Sequence, residues 1–130
     1  MVYTTEEKKK IDNLLEVFAE YTAQHPDFDI AYSDKTGYVR LIVAECSDWA
    51  FFPMKTFDDL VEMFAMEIVY EEVHKDLEKY PNMMNYNVDY DKIRCRMRSY
   101  IVQLEDQYQE QAEKAAERYI RQREMSIYLP

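Results

Sequence analysis

The sequence contains a single glycine, and the residues on either side of it constrain the fold more than any other feature. Gly37 ends the segment Asp34-Lys35-Thr36-Gly37, whose residue types favour a tight turn in which glycine supplies a positive φ. Before it, residues 28–33 (FDIAYS) alternate between apolar and small or polar side chains, and this period of two predicts a strand. After it, residues 38–44 (YVRLIVA) are β-branched and apolar on both faces, as in a central strand. We therefore predict an antiparallel hairpin.

A helix is predicted before the hairpin, and a third strand after it. Thr4-x-x-Glu7 has the form of a capping box, and apolar residues at helical spacing follow it up to His25-Pro26, where proline ends the helix. After the hairpin, residues 49–52 (WAFF) predict an edge strand that Pro53 closes. This third strand is a weaker prediction than the hairpin, so the sheet is either a hairpin or a three-stranded meander.

Two long helices are predicted for the C-terminal half. The second helix begins at Thr56-x-x-Asp59 and ends near Tyr80-Pro81. The third begins near Asp89 or Asp91 and meets no glycine or proline before Pro130, which predicts one helix of about 36 residues. The fold class is therefore α+β, with a small antiparallel sheet packed with an N-terminal helix and a C-terminal pair of long helices. The predicted order is α-β-β-(β)-α-α, in one domain spanning residues 1–130.

The chain is strongly acidic, and its charge is unevenly distributed. Of the formal net charge of −10, residues 56–92 contribute −7, whereas residues 93–130 contribute +1. Such a field repels nucleic acid and anionic lipid and favours basic partners. We therefore expect no direct binding to nucleic acid and no membrane association. We expect the cluster Arg94, Arg96 and Arg98 to pair with the acidic second helix across a hairpin, or to follow other acidic surface.

One flank of the second helix has the spacing of a metal site. Glu67, Glu71, His74 and Glu78 fall within about 60° of one another, and Glu71-x-x-His74 is the pair that carboxylate-bridged metal sites use. The chain has only one other histidine, His25, and no second Glu-x-x-His. The set is incomplete for a di-metal site, so we expect an acidic flank that faces solvent, with no metal or other cofactor. A small metal-dependent enzyme is the alternative.

A binding function without catalysis agrees best with these features. We predict that the chain presents a carboxylate-rich face to a basic protein partner, such as a nucleic-acid-handling enzyme that it inhibits, in the manner of anti-restriction, anti-CRISPR, antitoxin or immunity proteins. Carboxylates would supply charge, and tyrosines would supply desolvated anchors. The predicted contact residues are Asp58, Glu62, Glu67, Glu71, Glu78, Tyr80, Tyr86 and Tyr90.

The third helix suggests another possibility, an oligomerising structural protein. Apolar residues recur along it with the spacing of a coiled-coil seam. They are Met97, Ile101, Leu104, Tyr108, Gln111 and Ala115. A homodimer through this helix is therefore predicted as well. Two cysteines distant in sequence, Cys46 and Cys95, form no zinc framework, and together with the absence of a signal segment they favour a cytoplasmic location.

Overall fold

A computed structural model describes the backbone of residues 3–43, 49–79 and 88–126, and the side chains of residues 3–42, 52–75 and 88–126. The elements in chain order are α1 (Thr5–Val17), α2 (Ala19–Ala23), β1 (Phe28–Ser33), β2 (Gly37–Val43), β3 (Trp49–Met54), α3 (Phe57–Lys79), α4 (Tyr90–Ile101) and α5 (Asp106–Ser126). The predicted α+β class is confirmed, and the third strand is present.

The sheet is an antiparallel meander with the strand order β1-β2-β3. In its register Leu41 lies opposite Asp29 on β1 and opposite Phe51 on β3, so β2 is the middle strand as predicted. Gly37 has a φ of 77°. Residues that carry a Cβ adopt this conformation only at a cost in free energy, which glycine avoids. The single glycine of the chain thus allows the turn that sets the hairpin register.

Side chains cap the first turns of α1 and α3. Thr4 Oγ1 accepts a hydrogen bond from the Glu7 amide at 3.1 Å, which is half of the predicted capping box. The carboxylate of Glu7 instead accepts from the Phe57 amide at 2.7 Å, at the start of α3. Thr56 and Asp59 complete a reciprocal box there, with both hydrogen bonds at 3.1 Å. The N-terminus of α3 is therefore held by two separate parts of the chain.

Two helices break where the sequence predicted continuity. The predicted first helix divides at Phe18, which is fully buried and has a φ of −92° and a ψ of 8°. The predicted single third helix is also wrong, because residues 102–105 separate α4 from α5. The side-chain nitrogen of Gln109 donates to the carbonyls of Leu104 at 2.9 Å and Val102 at 3.3 Å. A glutamine thus satisfies carbonyls at this break, which contains neither glycine nor proline.

The chain forms two compact units, residues 1–60 and 61–130, and the boundary falls within α3. Each unit has buried apolar side chains of its own. In the first unit they include Ile11, Leu14, Phe18, Tyr21, Phe28, Tyr38, Phe57 and Leu60. In the second they include Val61, Phe64, Ile68, Val69, Val73, Tyr90, Ile93, Met97, Ile101, Leu104, Tyr108, Ala112, Ala115 and Ile120. Five of the six residues of the predicted coiled-coil seam are among these buried residues of the second unit. Their burial therefore does not require a second copy of the chain.

Candidate functional site

The helix α3 combines a buried face with an exposed apolar stripe. Phe64, Ala65 and Ile68, which share one face at helical spacing, are fully buried. On the opposite side Met66 is 38% exposed and Tyr70 is 60% exposed. Apolar residues at helical spacing usually mark a face that packs against another element, but Met66 and Tyr70 remain exposed.

The exposed side chains form a row that we call the Tyr70 stripe, consisting of Met66, Tyr70 and His74. The three residues are four apart and therefore follow one another along the helix surface. The ring centroids of Tyr70 and His74 are 3.8 Å apart, and His74 Nδ1 lies 3.0 Å from the Tyr70 carbonyl oxygen, which accepts its hydrogen bond. These contacts fix the orientation of the histidine, so the two rings present one aromatic surface.

Acidic residues lie on both sides of the stripe. At about 100° per residue, Glu67 is displaced about 60° from Tyr70, and Glu62 is displaced about 40° from Met66 in the other direction. Glu62 is paired with Arg118 at 3.1 Å, and its side chain remains 34% exposed. An aromatic surface between carboxylates is thus present in the second unit.

Part of the acidity of α3 is neutralised by α4. The α3 helix carries eight acidic residues and two lysines, whereas α4 carries four basic residues and one acidic residue. Arg96 contacts Glu72 at 2.8 Å and Glu71 at 3.3 Å, and Lys92 contacts Glu72 at 3.1 Å. For Arg96 this confirms the predicted pairing of the basic cluster with α3.

Arg94 instead pairs with acidic residues outside α3, which was the alternative predicted for the cluster. Its guanidinium contacts Glu117 and Glu124 on α5, both at 2.9 Å, and Asp91 on its own helix at 3.1 Å. The hydrogen bonds that Arg94 donates to Glu124 and Glu117 raise the pKa of Arg94 further above its usual value, although partial burial opposes this. Arg94 therefore joins α4 to α5, and Arg96 joins α4 to α3.

The environment of Glu72 shows how strongly these pairs act. Burial by itself raises the pKa of the Glu72 carboxyl, but hydrogen bonds from Lys92 and Arg96 and the charges of these two residues outweigh it. The net result is a pKa below the ordinary 4.5. The side chain of Glu72 is only 12% exposed. Glu72 is therefore an internal ion-pair partner and contributes little to the accessible acidic surface.

The other predicted contact residues are distributed differently from what the sequence suggested. Tyr80 and Tyr86 lie outside the described residues, as does the side chain of Glu78. Tyr90 is only 5% exposed, so its ring is part of the second core and does not form the surface anchor that was predicted. Asp58 is half-buried in the first turn of α3, within the first unit. Of the predicted carboxylates, Glu62 and Glu67 flank the Tyr70 stripe.

The predicted metal flank has other interactions at two of its members. Glu71 is paired with Arg96, and the His74 ring contacts the Tyr70 ring in a tilted arrangement. Among the side chains of residues 3–42, 52–75 and 88–126, no three His, Cys, Asp or Glu come together in a way that could hold a metal ion. The Glu71-x-x-His74 spacing is therefore used within the described structure for an ion pair and a ring contact.

Comparison with known proteins gives no family for this chain. It matches no protein-family model, no curated protein and no solved structure. Within the described residues, no helix has both the length and the apolar character needed to cross a membrane. The geometry of the chain itself is therefore the basis for proposing a function.

Proposed function

We propose that this chain is a non-enzymatic binding protein that presents the exposed face of α3 to a basic protein partner. The observation that carries the proposal is the Tyr70 ring, 60% exposed on a helix whose opposite side is fully buried. Tyrosine is enriched among the residues that dominate binding energy, because its large ring loses little conformational entropy on contact. The stripe replaces Tyr80, Tyr86 and Tyr90 as the described source of aromatic contacts.

The charge around the stripe determines the kind of partner. Glu62 and Glu67 flank it, and residues 56–92 together carry a net charge of −7. A basic partner is attracted by this field, whereas a second copy of α3 would bring like charges together. The partner class that fits best is a protein that itself handles nucleic acid, since such proteins carry basic surfaces. Occupying that surface would inhibit the partner.

The proposal is tested by affinity capture from the host with four immobilised baits. Three of them are the wild type, Tyr70→Ser and Glu67→Lys. Val102→Ser is the matched control, because Val102 is 57% exposed and lies outside α3. We expect the wild type and the control to retain the same basic protein, and the two α3 variants to lose it. Purified partner should then associate more slowly as salt increases.

Two results would contradict the proposal. One is a captured set of neutral or acidic proteins that is unchanged by the α3 substitutions. The other is a basic partner that binds Tyr70→Ser and Glu67→Lys as tightly as the wild type. All three substituted side chains lie partly or largely at the surface, so the variants should fold. Circular dichroism of each bait establishes that lost binding does not reflect lost folding.

A further inference from the structure

The first unit contains an open groove that the proposed function does not use. It has a volume of about 530 Å³ and lies between the helical segment and β1. Ala19, Thr22 and Ala23 line it on the helical side, and Phe28, Asp29 and Ile30 line it on the strand side. Consecutive residues of a strand point to opposite faces. Because three consecutive residues border the groove, it runs along the edge of β1.

This edge is unpaired within the sheet. In the described part of the chain, β1 pairs with β2 alone, so its other side is the outer edge of the sheet. Two amides on this edge donate to groups outside the sheet. The Phe28 amide donates to the His25 carbonyl at 3.3 Å, and the Ile30 amide donates to the Asp29 carboxylate at 2.8 Å. An exposed edge of this kind accepts an additional strand through main-chain hydrogen bonds.

The Asp29 contact gives the edge a reversible cover. While no strand is paired there, the Asp29 carboxylate accepts the hydrogen bond of the Ile30 amide. This contact limits non-specific pairing of other strands with the edge. An incoming main-chain carbonyl can accept from the same amide in its place. The displaced carboxylate then becomes available to a cationic side chain of the incoming segment.

The charge of the surrounding segment favours a basic occupant. Residues 11–34 contain six acidic residues and no lysine or arginine. They are Asp12, Glu16, Glu20, Asp27, Asp29 and Asp34. Asp29 lines the groove, and Asp27 lies between Pro26 and Phe28, which also line it, so we call Asp27 and Asp29 the acidic rim of the groove. Asp12 is paired with Lys8 at 2.9 Å and is not part of this rim. A second copy of β1 would bring the same acidic residues against this rim, and like charges across paired strands destabilise the pairing. The small side chains of Ala19 and Ala23 leave space for apolar groups of the occupant.

We infer that this groove binds an extended basic peptide segment, which adds as a fourth strand to the outer edge of β1 and directs apolar side chains toward Ala19 and Ala23. The β1 edge offers six residues, or about 20 Å at about 3.4 Å per residue. Lysine or arginine at alternate positions of the segment pairs with the acidic rim. This site lies in the first unit, so it is separate from the Tyr70 stripe and does not depend on the proposed function.

The experiment uses the full-length ¹⁵N-labelled protein and a capped heptapeptide that alternates valine and lysine. We expect saturable amide shifts in residues 19–32. One control peptide has glutamate in place of lysine, and another is N-methylated at the amides that would face β1. Both should bind at least about tenfold more weakly, the first through like-charge repulsion and the second through lost main-chain hydrogen bonds.

Two protein variants locate the site. Ala23→Lys places a long cation in the groove and should weaken binding of the lysine peptide at least about tenfold. Gln24→Lys adds the same residue at the next position, which does not line the groove, and should change binding less than about threefold. Ala19→Lys is a second groove variant in case Ala23→Lys does not fold. Residues 19, 23 and 24 are all exposed.

Several outcomes would overturn the inference. They include equal binding of the glutamate or N-methylated peptide, equal binding by a folded groove variant, and shifts confined to α3. The absence of saturable shifts at millimolar peptide would do so as well. A concentration-dependent dimer that Ala23→Lys abolishes would identify a second copy as the occupant and would reject the basic peptide. The groove variants and the control peptides leave Tyr70 unchanged, so failure here leaves the proposed function standing.

Discussion

Substituting Glu72 by glutamine isolates the ion pair that joins α3 to α4. The substitution keeps the shape of the side chain and one carbonyl acceptor but removes the charge that faces Arg96 at 2.8 Å. Hydrogen bonds to charged groups contribute about 1.5–3 kcal/mol, and neutral ones about 1 kcal/mol. Because the side chain of Arg96 is 27% exposed, the lower end of that range applies, which leaves a difference of about 0.5 kcal/mol for each of the two pairs that Glu72 makes with Arg96 and Lys92. We expect the free energy of unfolding to fall by about 1 kcal/mol and Tm to fall by about 3–5 °C.

The effect of Glu72→Gln should also depend on pH. The folded-state pKa of Glu72 is lowered, so the stability contributed by the ionised carboxylate is present above its ordinary value of 4.5. That contribution is lost as pH falls through the folded-state pKa. The wild type and Glu72→Gln should therefore differ at neutral pH and converge in acid.

Urea unfolding followed by circular dichroism, repeated across this pH range, measures both effects. Glu110→Gln is the control, because Glu110 pairs with Lys114 on the surface and its side chain is 80% exposed. Exposed pairs of this kind contribute little, so this variant should unfold like the wild type at every pH. If Glu72→Gln is as stable as the wild type at neutral pH, or if Glu110→Gln loses as much stability, the reasoning from burial and distance is refuted.

Three further predictions concern the hairpin and the helix break. The Tyr38 hydroxyl is buried and donates to Asp12, and these surroundings raise its pKa. The free energy of unfolding should therefore decline as pH rises above about 10. Tyr38→Phe should reduce that decline, as measured by urea unfolding at alkaline pH. Gly37→Ala forces a Cβ into a φ of 77° and should cost about 1–2 kcal/mol by urea unfolding; an unchanged midpoint would contradict the turn. Gln109→Ala removes hydrogen bonds to the Leu104 and Val102 carbonyls and should cost about 0.5–1.5 kcal/mol; amide exchange that stays slow around residues 102–105 would count against it.

The sequence predicted the fold class because local and long-range patterns agree in the first half of the chain. A turn that needs glycine lies between two stretches of period two, and the Thr56-x-x-Asp59 box marks the start of α3. The break between α4 and α5 was missed because its carbonyls are satisfied by the side chain of Gln109. A glutamine carries no signal of this role, since the same residue is common inside helices.

The candidate site could be predicted only in part. The acidity of α3 and the partnership of Arg96 with it follow from charge pattern, and both are present in the structure. The Tyr70 stripe could not be found from periodicity, because an exposed apolar row and a buried one have the same spacing. What distinguishes Tyr70 from Phe64 is the packing of the folded unit, which a helical wheel does not contain.

The capping of α3 has a consequence for dividing this protein into fragments. The boundary between the two compact units falls after Leu60, but a fragment that starts there begins inside the continuous helix α3. It lacks the Thr56–Asp59 box and also the carboxylate of Glu7, which comes from fifty residues earlier in the chain. The amides of its new first turn would have no capping side chain as acceptor, so this turn would fray. Expression of the C-terminal half by itself should therefore begin no later than Thr56, and even then one cap remains missing.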